Sequence, residues 1–155
     1  MATRSQNSKH LPIDTLPSAE GFRFALIVSK WNSEITDNLF NGAHQILQQQ
    51  QAKQIDRFDV PGSFELIYAS RVAMEKNYDA VIAIGSVIRG ETSHFDFVCQ
   101  GVTNGIQQLN AMGKVPVIFC VLTDDTIEQS IARSGGSLGN KGEEAAVAAI
   151  QMAKL

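Results

Sequence analysis

The stretch Ala80-Val81-Ile82-Ala83-Ile84-Gly85-Ser86-Val87-Ile88-Arg89-Gly90-Glu91-Thr92-Ser93-His94-Phe95-Asp96 decides the fold. Ala80 to Ile84 is continuously apolar and β-branched, as a strand buried on both faces of a parallel sheet should be. The run then breaks into a polar loop that ends in a histidine. Open α/β sheets bind ligands beyond the carboxyl ends of such strands, where backbone groups become free and polar side chains first appear. Gly85 to His94 fits that position.

Outward from this strand the pattern alternates. Phe22 to Ser29 reads as a strand, and Asp37 to Gln50 as a helix with Leu39, Phe40, Ala43, Ile46 and Leu47 on one face. A second strand is expected near Arg57 to Val60, followed after Pro61-Gly62 by a helix from Ser63 to Lys76. The third strand is Ala80 to Ser86, with a helix over His94 to Met112 behind its loop. Val115 to Leu122 supplies a fourth strand, Thr126 to Arg133 a short helix, and Gly142 to Ala153 a closing Ala-rich helix. Strands alternating with helices imply right-handed crossovers and a parallel sheet covered on both faces. The expected fold is α/β, a flavodoxin-like three-layer α/β/α sandwich with a four-stranded parallel sheet over residues 21 to 155. Residues 1 to 20 lack periodicity and read as a flexible or surface-draped arm. So small a sheet has vulnerable edges, which neighbouring subunits could bury.

At 155 residues the chain is long enough for one real core. A net charge of -3 and a pI near 5.5 leave no basic footprint for nucleic acid. No apolar run approaches the roughly 20 residues that span a bilayer, and the polar N-terminus lacks a signal peptide's apolar core, so a cytoplasmic protein is expected. Cys99 and Cys120 sit in apolar segments without metal or redox spacing and read as buried spectators. His10, His44 and His94 form no ligand cluster by sequence, and no structural metal is expected.

Each strand end carries something unusual. Trp31, the sole tryptophan, falls in a turn, where it could stack on a planar heterocycle or seal a subunit contact. Val60-Pro61-Gly62-Ser63-Phe64-Glu65 feeds a helix whose first amides could bind carbonyl or anionic oxygens, unless Ser63 and Glu65 simply cap it. His94 can transfer protons near neutrality, with Asp96 as a neighbour to tune it, or it can merely begin a helix. Arg89 and the amides of Gly90, Glu91 and Thr92 could meet a phosphate, with the Thr92 hydroxyl as a further donor. Phe119 reads as core within its strand, and Thr123 or Asp124 as the next helix cap. Arg133-Ser134-Gly135-Gly136-Ser137-Leu138-Gly139-Asn140-Lys141-Gly142 offers glycines and two cations but fails the P-loop spacing. It reads either as an anion-binding loop or as a glycine-rich helix stop, with Arg133 a good phosphate ligand beside it.

Taken in order, Val60-Pro61-Gly62-Ser63-Phe64-Glu65, the stretch from Gly85 to Asp96, and Gly139-Asn140-Lys141-Gly142 closely resemble the 6,7-dimethyl-8-ribityllumazine synthase family of riboflavin biosynthesis. The similarity runs from Phe22 to Leu155. It implies condensation of 5-amino-6-(D-ribitylamino)uracil with 3,4-dihydroxy-2-butanone 4-phosphate to give the lumazine, phosphate and water, with no metal or redox cofactor. By the same resemblance Trp31 stacks on the pyrimidine where many members have phenylalanine. Ser63, Phe64 and Glu65 bind the ribityl chain, and Ser86, Val87 and Ile88 meet the pyrimidine through their backbone. Glu91, through its amide, and Thr92 hold the phosphate-bearing substrate, Arg133 its phosphate, and Lys141 adds positive field or a structural contact. His94 becomes the general acid/base.

The family's sites lie between subunits of a homopentamer, with Phe119 supplied by the neighbour. Ser134 to Asn140 carries no insertion, which permits an icosahedral capsid. The competing readings are a flavodoxin-like flavin-binding module without turnover and a purely structural shell protein. Lumazine formation from the two substrates separates both from an enzyme.

Overall fold

The computed structural model describes residues 16–155. His10 and most of the expected N-terminal arm lie outside the described residues. In chain order the elements are β1 (Arg23–Ser29), α1 (Ser33–Gln49), β2 (Gln54–Val60), α2 (Leu66–Met74), β3 (Ala80–Ile88), α3 (His94–Met112), β4 (Val117–Asp124) and α4 (Ile127–Arg133). A small hairpin of β5 (Ser134–Gly136) and β6 (Gly139–Asn140) then leads to α5 (Lys141–Ala153). The main sheet is parallel throughout, in the order β2-β1-β3-β4. This is the expected three-layer α/β/α arrangement of flavodoxin-like folds.

Alternation along the inner strands divides the interior in two. Phe24, Leu26 and Val28 of β1 join Ile82 and Ile84 of β3 beneath Leu39 and Leu47 of α1 and Ala146 and Ile150 of α5. The intervening Ala25, Ile27, Val81 and Ala83 face Leu66 of α2 and Val102 and Ile106 of α3. Each of the larger side chains among these, removed from water, contributes about 1.5–3 kcal/mol before entropy is set against it. β1 and β3 look uniformly apolar because both of their faces are buried.

The α1/α5 layer is drawn together at Gly142 and Asn140. A Cβ on Gly142 would run into the backbone carbonyl of Leu39, so only glycine permits this approach. The Asn140 side chain lies over Gly42, accepts from the Gly142 amide at 2.8 Å and donates to the Asn38 carbonyl at 2.9 Å. It thus caps α5 and ties it to α1 in one arrangement.

Several boundaries differ from expectation. α1 begins at Ser33, four residues before Asp37, because Asn32 takes the left-handed conformation (φ 58°) and turns the chain at once. β2 starts at Gln54 because it pairs with β1 along its whole length, although its exposed first half carries no apolar pattern. β3 runs on to Ile88, carried past Ser86 by its pairing with β4. α2 starts at Leu66 without a side-chain cap, so neither Ser63 nor Glu65 caps it. The glycine-rich stretch after Arg133 forms the β5–β6 hairpin, with Gly135 and Gly139 at positive φ. Phe119, read as core, is 41% exposed: β4 is an edge strand, and neither α2 nor α3 covers it there.

Before β1, Ala19 is fully buried and donates its amide to the Gln50 carbonyl at 2.7 Å. Glu20 pairs with Ala52 in an isolated antiparallel bridge. Residues 16–20 are therefore laid across the end of α1.

Candidate active site

The carboxyl ends of β1, β2 and β3 are drawn together by a few polar contacts. The Lys30 amide donates to the Val60 carbonyl at 2.8 Å, joining the turn that carries Trp31 to the end of β2. The Asn32 side chain donates to the Ser86 carbonyl at 3.0 Å, joining the same turn to β3. Ser63 sits so close over Gly85 that a Cβ there would lie 2.7 Å from its hydroxyl. Trp31, Ser63, Phe64, Glu65, Ser86, Val87 and Ile88 therefore share one edge of the sheet. Asn32 had no role in the sequence reading. Its signal was a side chain that tolerates positive φ, placed directly after a strand.

β3 outruns β1 at this edge. Their pairing ends at Val28 and Ile84, whereas β3 stays paired with β4 to Ile88 and Asp124. Past Ile84 no strand is paired on the β1 side of β3, and the Asn32 side chain takes the Ser86 carbonyl there. The Ser86 hydroxyl is buried and has no partner among the described residues. Above this edge Trp31 is 71% and Phe64 55% exposed, with the Phe64 ring leaning against Gly101 of α3.

The loop from Arg89 to His94 has the donor groups that an anion cradle requires. Among the described residues the amides of Gly90, Glu91, Thr92 and Ser93 have no hydrogen-bonded partner, and they precede the first turn of α3. Free amides at a helix N-terminus favour negative charge. The Thr92 oxygen accepts from the His94 amide at 3.4 Å, so its own hydrogen remains to donate. Thr92 thus serves the start of the helix and leaves the exposed His94 imidazole unencumbered. Glu91 is exposed as well.

Arg89 does not join this cradle. Its guanidinium donates to Asp125 at 2.8 Å and to Asp96 at 3.2 Å, and lies 4.1 Å above the Phe95 ring. The Asp125 and Asp96 carboxylates hold it further into its charged form. Asp96, considered as a partner for His94, is engaged by this arginine instead.

The remaining residues stand elsewhere. Phe119 pairs opposite Ala83, below the strand ends, and points out from the edge strand. Arg133 closes α4, where it donates to the Gln129 carbonyl at 2.9 Å and lies 3.9 Å from the Asp124 carboxylate. Its other N–H donors have no acceptor among the described residues. Lys141 opens α5 and places its ammonium 2.8 Å from both oxygens of Glu144. No hydrogen bond or ion pair among the described residues joins Phe119, Arg133 or Lys141 to the Trp31, Ser63–Glu65 or His94 group. Two surface cavities, of ≈ 350 Å³ beside the β5–β6 hairpin and ≈ 490 Å³ between Tyr78 and the C-terminus, are lined by none of these residues.

Comparison with known proteins decides what this surface belongs to. The family model described as 6,7-dimethyl-8-ribityllumazine synthase matches residues 21–155. The chain belongs to the 6,7-dimethyl-8-ribityllumazine synthase family. It is similar to the synthase of that name from Flavobacterium johnsoniae, 56% identical over 99% of this chain and 82% of the relative. The Christiangramia forsetii synthase is 55% identical, covering all of this chain and 95% of its own length. That of Flavobacterium psychrophilum is 52% identical over 100% and 84% of the two chains. Membership makes this protein a condensing, transferase-type enzyme of riboflavin biosynthesis. No helix among the described residues is long and apolar enough to cross a membrane.

Proposed function

We propose that the enzyme condenses its two substrates at sites closed between subunits of a cytoplasmic homopentamer. The β1–β3 strand ends of one subunit form one wall, and Phe119, Arg133 and Lys141 of the next form the other. The reaction joins 5-amino-6-(D-ribitylamino)uracil to 3,4-dihydroxy-2-butanone 4-phosphate and releases phosphate and water. The observation that carries the division is that no direct hydrogen bond or ion pair among the described residues joins the two groups within one chain, with Trp31, Phe64 and Phe119 all left in solvent.

In this site Trp31 stacks on the pyrimidine, whose polar edge meets the backbone at the end of β3, from Ser86 to Ile88. The amides near Ser63 and Phe64 and the Glu65 carboxylate take the ribityl hydroxyls. The amides of Gly90, Glu91 and Thr92, the Thr92 hydroxyl and Arg133 hold the phosphate, with Lys141 adding positive field. The attacking amine belongs to the substrate, so no protein nucleophile is needed and orientation supplies much of the acceleration. His94 then carries protons during imine formation, phosphate elimination and ring closure.

The purified protein, mixed with both substrates, should develop lumazine absorbance in step with phosphate release. Arg133→Ala should raise the KM for the butanone phosphate about tenfold or more, as loss of a charge-assisted contact predicts. Unchanged kinetics for that substrate would remove Arg133 from the site. Light scattering reads the assembly: a pentamer mass, or a capsid built from pentamers, supports the shared site, and a fully active monomer overturns it.

A further inference from the structure

Arg89 lies where the loop carrying His94 meets the turn that leads to Arg133. Its amide donates to the Asp124 carbonyl at 3.0 Å, extending the β3–β4 pairing by one bond. Its guanidinium reaches forward to Asp96, in the first turn of α3 two residues after His94, and sideways to Asp125. Beneath it lies the ring of Phe95, the residue next to His94 and itself buried. From Asp125 the contacts continue: its amide donates to the Gln129 side chain at 2.9 Å, and the Gln129 carbonyl receives Arg133 at 2.9 Å. Asp124, 3.9 Å from Arg133, is fixed in turn by the Ser130 hydroxyl at 2.8 Å. An unbroken series of contacts thus runs from the His94 turn through Arg89 to Arg133.

We propose that Arg89 is a positioning residue, a clamp that fixes the His94 turn and the Arg133 turn of one subunit relative to each other. This rests on the site reading above, in which those two residues face different sites. The clamp therefore joins neighbouring sites around the ring mechanically. A planar guanidinium can hold two carboxylates in a fixed fork and stack on a ring at once, which an ammonium cannot do. Both ion pairs are solvent-exposed, and such pairs add little to global stability. The arrangement therefore orients more than it stabilises, so variants should fold normally and their kinetics can be read directly.

Steady-state kinetics of three variants test the clamp. Asp96→Asn frees only the α3 arm and should lower kcat several-fold, with the KM for the butanone phosphate little changed. Asp125→Asn frees only the β4–α4 arm and should mainly raise that KM. Arg89→Lys, which keeps the charge, should show both effects, with kcat down roughly tenfold, as small misplacements of catalytic groups produce. Adding Asp96→Asn to Arg89→Lys should lower kcat no further, because the two act through one interaction. Proportionate loss of active protein with unchanged KM in all three would mean a merely structural role and would overturn the proposal, as would wild-type kinetics. His94→Ala and Arg133→Ala run in parallel separate the two levels. If they alter kcat and KM while the clamp variants do not, only the clamp fails; if they too change nothing, the site reading fails.

Discussion

On one face of the sheet α1 and α5 cover β1, β3 and β4, and Cys120 and Leu122 of β4 are buried there. On the other, α2 and α3 cover β1 and β3 and bury Val117 and Val121 of β4 but leave Phe119 and Thr123 of the same strand in solvent. The strand itself is apolar toward both sides: Val117, Phe119 and Val121 alternate with Ile118, Cys120 and Leu122. Tyr68 and Phe97, on the helices of the open side, are exposed too. Exposed apolar side chains grouped in this way suit an association surface, the role proposed for this face. The closed face holds most of the buried core; the proposed site lies on the open face and the adjoining strand ends.

The sharpest way to break this division is to put the two halves of the site on different chains. His94→Ala should lower kcat by about 10²–10⁴-fold, the usual worth of general acid/base assistance, without abolishing turnover. Dissociating and reassembling His94→Ala together with Arg133→Ala should restore wild-type halves to about one quarter of the sites under random mixing around a closed ring. Activity should rise well above that of either variant alone. No gain on mixing, in material shown by mass to have exchanged subunits, would return the whole site to one chain.

A second comparison sets one phenylalanine on each face. Phe24→Ala on the closed face should cost about 3–5 kcal/mol in urea unfolding, since the ring is wholly buried and leaves a cavity. Phe119→Ala should barely change the fold of the subunit but reduce assembly mass and kcat/KM together. Equal losses of stability in the two variants would erase the distinction between the faces.

The faces also explain what could be read from the sequence. α3 runs from His94 to Met112 as its pattern predicts, because the loop break is abrupt and Phe95, Val102 and Ile106 mark one buried stripe. The strands that pair on both sides were equally plain. The start of β2 was not, because backbone pairing with β1 holds it while its side chains remain half in solvent. The β5–β6 hairpin was hidden because glycines at positive φ shape it and no apolar pattern announces it. Apolar character alone placed Phe119 in the core, since sequence shows that a side chain prefers burial but not whether its own chain provides it. The binding of Arg89 by Asp96 and Asp125 depends on where two loops end, which spacing along the chain does not reveal.

Two glycines give a smaller contrast. Gly142→Ala would drive a methyl into the Leu39 backbone carbonyl and force α5 away from α1, costing about 1–3 kcal/mol. Gly101→Ala would meet only the Phe64 ring, a half-exposed side chain that can swing aside. The added helix propensity, up to about 1 kcal/mol, should leave that variant as stable as the parent or slightly more so. What should change is the KM for the ribityl substrate, because Phe64 has moved. Strong destabilisation by Gly101→Ala would show the open face to be as tightly packed as the closed one.

The smallest effect distinguishes the faces by thiol chemistry. Burial, reinforced by Glu144, pushes the Cys120 thiol up to about 12, whereas Cys99 on α3 is only half-buried and shifts less far. Thiolate is the reactive form, so an alkylating agent at pH 8 should modify Cys99 first and reach Cys120 only as the protein unfolds. The same shift makes a linkage prediction. The folded state holds the Cys120 proton more tightly than the unfolded chain, whose thiol titrates near 9. Its contribution to stability is therefore fully present below about pH 9 and is lost as pH rises toward 12. Between pH 8 and 10.5 the urea midpoint should fall less steeply in Cys120→Ala than in the parent. Identical slopes would mean that water reaches this thiol, and the face sealed by α1 and α5 would then be less closed than its packing implies.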